Sequence, residues 1–320
     1  NGVLRNISRK KETISYPKKD KNLVTYLSVT YSIPEWIIKF FMKTYDDETV
    51  EKIIESYLED KKTTLCCLMS KGGKDVIRKE LEEENVTVED GELIENSVKI
   101  SDYDFLYRLR AFREGKCYVQ DESSMLCAKL AGAKEGQFVM DLCSAPGGKS
   151  LYTADQMKGS GQVLSRDLTE YKTDLIEDNI ERMGFTNMEA EVFDATILDE
   201  EHIEAADVVI ADVPCSGLGI MGKKNDIKYH ISEDGMKDLV KRQREILTNA
   251  VQYVKHGGTL IYSTCTINPE ENEKNMQWII NNFDYEAVDI TEELPKNLKI
   301  ETAKDGYIQL LPGVHPCDGF

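Results

Sequence analysis

Phe138-Val-Met-Asp-Leu-Cys-Ser-Ala-Pro-Gly-Gly-Lys-Ser150 decides the fold of this 320-residue chain. An apolar strand-like run, Phe138–Leu142, enters a glycine-rich turn, and a helical stretch, Ser150–Met157, follows. Gly147 and Gly148 let the backbone turn tightly and let a ligand approach closely. The helix start offers unpaired amides and the positive end of a dipole. The run ends Gly-Gly-Lys-Ser, yet a phosphate loop needs glycine five residues before Gly148, where Cys143 stands. The dinucleotide pattern Gly-x-Gly-x-x-Gly is also absent. The Pro-Gly-Gly-Lys context marks a binding loop without naming its ligand.

The same alternation continues downstream. Apolar runs at Gln162–Ser165, Met188–Phe193, Asp207–Ala211 and Thr259–Ser263 are separated by segments containing helical Asp174–Met183 and Met236–Val254. Such alternation predicts an α/β domain over 117–320, a parallel sheet covered on both faces. Ligands of such sheets bind at the carboxyl ends of the strands. Upstream, 63–116 reads as a small α+β module. It has a strand at 63–69, a polar helix at Lys74–Glu84, and short strands at Val86–Val88 and Ser97–Ile100 around an Asp90-Gly91 turn. Residues 1–62 read as a basic linker followed by helices. Ser32 is expected to cap one helix carrying Ile37, Ile38, Phe41 and Met42. Asp46 or Asp47 is expected to cap another with Val50, Ile53, Ile54 and Tyr57.

Composition narrows the class. Apolar residues make up 41% and charged residues 31%, which reads as globular. No apolar stretch approaches the ~18 residues of a membrane helix, and the first residues lack a signal-peptide core. Eight cysteines occur with no Cys-x-x-Cys pair, so neither a zinc knuckle nor another metal site is expected. They read as reduced thiols of a cytoplasmic protein. The chain starts without Met and ends at Gly319-Phe320, as a fragment would. The net charge of −18 argues against a nucleic-acid partner taken alone, although a basic face can sit on an acidic body. Arg5, Arg9, Lys10, Lys11, Lys18, Lys19 and Lys21 form one basic cluster. Lys223, Lys224 and Lys228, followed by Lys237, Lys241, Arg242 and Arg244, form a second. On composition either cluster is an ordinary solvated surface.

Three acids stand at successive strand ends. Asp167 closes the second strand at a distance from Gly147 suited to ribose hydroxyls. Asp194 follows the third strand, within reach of an adenine edge, and Asp212 closes the fourth. Each alone would more commonly cap a helix. The fourth and fifth strands also deliver Cys215, in Ala211-Asp-Val-Pro-Cys-Ser-Gly217, and Cys265, in Tyr262-Ser-Thr-Cys-Thr266, to one rim. A lone cysteine is usually a small buried hydrophobe. Two beside Asp212 and Lys149 suggest chemistry, since an ammonium favours the thiolate. His202, His230, His256 and His315 show no Cys–His dyad pattern.

Pro146-Gly-Gly-Lys149, Asp212-Val-Pro-Cys-Ser-Gly217 and Ser263-Thr-Cys-Thr266 together resemble the motifs of the Nol1/Nop2/Sun family. These are S-adenosylmethionine-dependent RNA 5-methylcytosine methyltransferases. Tyr118-Val-Gln-Asp-Glu-Ser-Ser and Asn268-Pro-Glu-Glu-Asn resemble further family segments. The likeness is strong over about 100–320, and Asn1-Gly-Val-Leu-Arg-Asn resembles the end of the NusB-like domain of the bacterial RsmB/Sun/Fmu branch. The resemblance implies a Rossmann-like methyltransferase sheet with an RRM-like module at 63–116. It implies an S-adenosylmethionine site at Cys143, Ser144, Ala145, Pro146, Gly147, Gly148, Lys149, Asp167, Asp194 and Asp212. It makes Cys265 the nucleophile, Cys215 the residue aiding product release, and Asp212 and Lys149 their partners around the base. The implied substrate is small-subunit (16S) rRNA, on a monomer without membrane or metal. The same chemistry on tRNA, or a non-catalytic assembly factor on this scaffold, remains the alternative. Ser150 stands where the family usually has threonine, and Asn225-Asp-Ile-Lys-Tyr229 where it tends to Pro-Asp-Ile-Lys-Trp.

Overall fold

A computed structural model describes residues 2–13, 15–59 and 62–320. Asn1 of the NusB-like resemblance, and Ile14, Asp60 and Lys61 of the expected 1–62 segment, lie outside the described residues. The chemistry is organised by a five-stranded parallel sheet: β5 (Phe138–Asp141), β6 (Gln162–Asp167), β7 (Met188–Val192), β8 (Ala206–Asp212) and β9 (Val254–Ser263), in the order β7-β6-β5-β8-β9. The order reverses between β5 and β8, so a crevice opens at their carboxyl ends, the usual ligand position in a doubly wound sheet. Val139, Val163, Val208 and Ile210 face one helical layer, and Met140, Leu142, Leu164, Val209 and Ala211 face the other. Burial on both faces is why these strands read as apolar runs. The layers include α8 (Gly148–Gln156), α9 (Glu170–Met183), α11 (Glu233–Tyr253) and α12 (Glu273–Asn282), with α7 (Glu122–Leu130) against α8. A short α10 (Ile227–His230) lies between β8 and α11.

The second sheet is antiparallel, with β1 (Thr63–Cys67), β2 (Thr87–Asp90), β3 (Ser97–Ser101) and β4 (Cys117–Val119) in the order β2-β3-β1-β4. With α5 (Gly73–Glu83) and α6 (Arg110–Arg113) it forms the β-α-β-β-α-β pattern of an RRM-like module. Cys117–Val119 pairs with Leu65–Cys67, so this strand lies in the small sheet although its residues open the expected 117–320 segment. Side chains alternate between the two faces of β1 and β4. Leu65 and Cys67 meet Ile77 and Leu81 of α5, while Cys66 and Tyr118 join the core around Tyr152 of α8. The face that stacks bases in RRM modules is here covered by the parallel-sheet domain.

α1 (Gly2–Lys10) has no buried residue. α2 (Leu23–Tyr31), α3 (Glu35–Phe41) and α4 (Asp47–Ser56) form a small helical cluster. Leu27, Ile37, Ile38, Phe41, Val50, Ile53, Ile54 and Tyr57 pack there with Leu218, Met221 and Ile267. Asp46 caps α4 through Thr49 N–H at 2.8 Å. Ser32 does not cap α3 as expected: it ends α2 in the left-handed region, φ 55°, and Pro34 takes the cap position. The cluster reaches both cysteine-bearing loops, with Tyr57 Oη donating to Leu218 O at 2.7 Å and Tyr45 Oη to Ile267 O at 3.0 Å. Among the described residues no helix is long and apolar enough to cross a membrane.

Candidate active site

β8 and β9 run in register, Asp212 beside Ser263, so the chain leaves both strands at one level. Cys215 and Cys265 meet there, their Sγ atoms 3.2 Å apart as free thiols, and Cys265 N–H points at Cys215 Sγ at 3.3 Å. Both are partly exposed. The two sulfurs are within hydrogen-bond distance of each other. That hydrogen bond draws the Cys265 thiol below its ordinary value against the effect of burial, with Lys149 and Lys224 assisting and Asp212 opposing. Cys215 is held well above its own by the same bond and by burial. The neighbouring thiol therefore outweighs Lys149 in favouring the Cys265 thiolate. Cys265 is expected to alkylate with iodoacetamide below the pH at which ordinary thiols react, near 8.5. Cys215→Ala shifts that profile upward in pH, read by peptide mass mapping. An unshifted profile would remove the thiol–thiolate bond as the cause.

Lys149, from the first turn of α8, crosses the switch point to Asp212, with Nζ to Oδ2 at 2.6 Å. Burial works against its charge, yet Asp212, with Cys127 and Asp141 farther off, holds the ammonium above its ordinary pKa. Ser263 Oγ donates to Asp212 Oδ1 at 2.8 Å. The Asp212 side chain keeps 31% exposure, leaving it an open side toward the rim. The Phe320 ring lies 4.8 Å from Lys149 Nζ, and Phe320 exchanges backbone hydrogen bonds with Leu310 at 2.9 and 3.1 Å. Gly319 passes so close to Gly219 that a Cβ on Gly219 would come within 2.2 Å of Gly319 O. Nothing in the spacing of the motifs announced Phe320 as a wall of this site.

The glycine turn wraps Asp167. Ala145 N–H donates to its Oδ2 at 2.9 Å, and Leu168 N–H and Lys172 Nζ reach Oδ1 at 2.7 and 2.8 Å. Gly147 adopts φ 100°, its N–H bonded to Ser144 O at 2.7 Å, a conformation that favours glycine. Ser144 N–H reaches Arg166 O at 2.8 Å, and Pro146 O accepts from Asn179 at 3.0 Å. Cys143 packs among Leu142 and Leu164, and burial pushes its thiol up. Gly148 opens α8. Residues 143–149, Asp167 and Asp212 thus gather at one crevice. Asp194 lies two residues beyond β7 and makes a local turn, its Oδ1 accepting from Thr196 N–H at 2.9 Å and Oγ1 at 2.7 Å. These bonds close an Asx turn at the carboxyl end of β7.

Glu271 went unremarked in the motif that holds it. It is fully buried, accepting from Ser216 N–H at 2.8 Å, Gln243 Nε2 at 3.0 Å and Asn268 Nδ2 at 2.9 Å. Asn272 Nδ2 donates to Thr266 O at 2.9 Å. The Asn268–Asn272 segment therefore ties the loop after each cysteine to one buried carboxylate. Glu271→Ala leaves three buried donors unpaired and should lower unfolding stability by about 3 kcal/mol, read from the urea midpoint at constant m-value.

A parallel sheet in this order, with a glycine turn at its switch point, is the fold of Rossmann-like methyltransferases. The family model described as 16S rRNA methyltransferase RsmB/F matches residues 128–320, and the chain belongs to that family. It is 36% identical over 325 residues to the probable ribosomal RNA small subunit methyltransferase B of Bacillus subtilis strain 168, covering all of this chain and 71% of that protein. It is 32% identical over 210 residues to ribosomal RNA small subunit methyltransferase F of Klebsiella pneumoniae strain 342, covering 64% of this chain and 44% of that one. The solved protein PH0851 superposes with a TM-score of 0.85 at 29% identity, over 97% of this chain and 69% of that one. NSun6 from Pyrococcus horikoshii, solved with SFG, superposes at 0.78 with 18% identity, over 90% and 97%, a likeness of fold.

S-adenosylmethionine is the methyl donor of this family, and the residues present fit it. Asp141 Oδ1 is fully buried without a hydrogen-bond partner among the described residues, at the end of β5 where the glycine turn begins. Its Oδ2 accepts from Ser150 at 2.7 Å. An orphaned carboxylate oxygen there suits the cofactor's ammonium group. Burial pushes the Asp141 carboxyl up to about 6, with Asp212 adding to the rise. A raised acid favours the folded state at low pH and loses that advantage as pH climbs from about 4 to about 6. Asp141→Asn should therefore match the parent near pH 4 and exceed it by about 3 kcal/mol above pH 7. Denaturation at both pH values reads the difference, and equal curves would contradict the raised pKa.

Proposed function

We propose that this chain methylates carbon 5 of a cytosine in small-subunit rRNA through a covalent Cys265 adduct. The observation that carries the reading is the 3.2 Å thiol pair beside the Lys149–Asp212 ion pair. S-adenosylmethionine supplies an electrophilic methyl sulfonium. Carbon 5 of cytosine is too weak a nucleophile to take it unaided. The Cys265 thiolate adds to carbon 6, and the displaced π electrons make carbon 5 enamine-like, which splits one hard step into two easier ones. Asp212, a third exposed and held by Lys149 and Ser263, faces the base near N3 and steadies the charge change. After transfer, water at the partly exposed rim takes the carbon 5 proton, the C–H electron pair re-forms the carbon 5–carbon 6 double bond, and the carbon 6–sulfur bond breaks to release Cys265 as thiolate, with Cys215 in contact with the departing sulfur. Lys149 holds the Asp212 side chain in place through their 2.6 Å contact.

The target base has to leave its stack, at a cost of a few kcal/mol unless it is already single-stranded. A loop of folded rRNA suits this site better than a duplex interior. The test is transfer of labelled methyl to small-subunit rRNA from cells lacking the protein, followed by mapping of 5-methylcytosine. One new 5-methylcytosine is expected. Label appearing only in tRNA, or on another atom of the base, would overturn the reading.

A further inference from the structure

The loops that carry Cys215 and Cys265 are sewn together on both sides of the sulfurs. Ahead of the cysteines, Val213 N–H donates to Ser263 O at 3.2 Å. Just after them, Ser216 Oγ and Thr266 Oγ1 share a 2.6 Å hydrogen bond, and Gly219 N–H donates to Cys265 O at 3.1 Å. The buried Glu271 carboxylate holds the Ser216 amide at 2.8 Å. These bonds fix the spacing of two residues 50 apart in the chain, so folding has already met the entropy of closing that loop. A disulfide needs its sulfurs at about 2.05 Å. These two stand 3.2 Å apart, free and partly exposed. The methyl-transfer steps use each thiol separately, and none of them joins the two sulfurs.

The other cysteines lack this combination. Cys67 and Cys117 are partners across β1 and β4, but both are buried, and burial pushes the Cys117 thiol up to about 12 and raises Cys67 as well. Burial likewise raises Cys66, Cys127, Cys143 and Cys317. Cys265 alone is drawn down. A thiolate that solvent reaches, with a second thiol against it, is the arrangement found in cysteines that react with peroxides. We propose that the Cys215–Cys265 pair is a modification site for hydroperoxides and closes reversibly into a disulfide. The Cys265 thiolate attacks one peroxide oxygen, the O–O bond breaks, and the other oxygen leaves as hydroxide or alkoxide. The peroxide is reduced and Cys265 is oxidised to a sulfenic acid. The Cys215 sulfur then attacks the sulfenic sulfur, the S–O bond breaks, and the leaving hydroxide carries off the Cys215 proton as water. An added dithiol restores both thiols and is itself oxidised. The disulfide forms whether or not the chain methylates RNA, and only the accompanying loss of activity rests on the methyl-transfer reading.

Reduced, desalted protein treated with hydrogen peroxide at neutral pH tests the site. Remaining thiols are blocked with N-ethylmaleimide, and the peptides are mapped by mass without reduction. The Cys215 and Cys265 peptides should appear joined to each other, with the other six cysteines blocked singly. Methyl transfer should be lost on oxidation and return in full with dithiothreitol. In Cys215→Ser, dimedone should capture Cys265 as the sulfenic acid. The sulfinic form, which dithiothreitol does not reduce, should build up about tenfold faster there than in the parent, because no second thiol intercepts the intermediate. The parent's own map decides the matter even if that variant fails to fold. Cys215 and Cys265 peptides blocked singly after peroxide, in a protein that transfers methyl, would overturn the site and leave the catalytic reading standing. A link from either sulfur to Cys143 or Cys317 instead would also overturn it. A Cys215–Cys265 disulfide that forms while methyl transfer continues undiminished would support the site and overturn the Cys265 adduct.

Discussion

Cys265→Ala is expected to lower methyl transfer by about 10⁴-fold or more and to form no adduct with 5-fluorocytosine RNA, whereas Cys215→Ala should let an RNA adduct accumulate. The asymmetry follows from the proposed roles and from the sulfur–sulfur contact, which draws the Cys265 thiol below its ordinary pKa and holds the Cys215 thiol above its own. Removing Cys265 deletes the proposed nucleophile, and loss of one member of a concerted set commonly removes nearly all of its rate. Removing Cys215 keeps that nucleophile, although a less acidic one, and deletes the group touching the leaving sulfur. Denaturing gels of enzyme mixed with 5-fluorocytosine RNA read the first adduct, and gels with unmodified RNA read the second. Accumulation with Cys265→Ala instead would exchange the two roles, with Cys215 as nucleophile.

The second large effect concerns the ion pair under the thiols. Asp212→Asn should destabilise the protein by about 3–5 kcal/mol, because it leaves the Lys149 ammonium buried without its anion. Lys149→Met should destabilise less, since the Asp212 side chain is 31% exposed and can hydrate. Both should reduce transfer by about 10²–10⁴-fold, the range for a positioned group acting on the charge of the reacting base. Urea midpoints and single-turnover rates on the same preparations separate the two effects. Equal midpoints for the two variants would mean that the pair is solvated alike on both sides.

The likeness to the RsmB/F family extends beyond the catalytic sheet, since the Bacillus subtilis relative aligns along the whole chain. The helical cluster has a physical reason to be kept. Tyr45 and Tyr57 hydrogen-bond carbonyls in the loops after Cys265 and Cys215, so α2–α4 brace the two loops whose sulfurs must meet.

The sequence by itself determined the parallel sheet and the meeting of Cys215 with Cys265 at its carboxyl rim. Two-sided burial forces apolar strands, and the aligned ends of β8 and β9 bring the two cysteine loops together. It could not rank the forces on Cys265, because a 3.2 Å sulfur contact depends on the register of β8 against β9. Nor could it separate Lys223, neutralised by two aspartates far away in sequence, from Lys228, which has no ion pair among the described residues. Ser32 misled for the same reason: a serine before proline reads as a helix start, but packing of α2 on α3 put it at a helix end. Glu271 and Phe320 became visible only in three dimensions, since a buried carboxylate and an aromatic wall are defined by neighbours that local sequence does not supply.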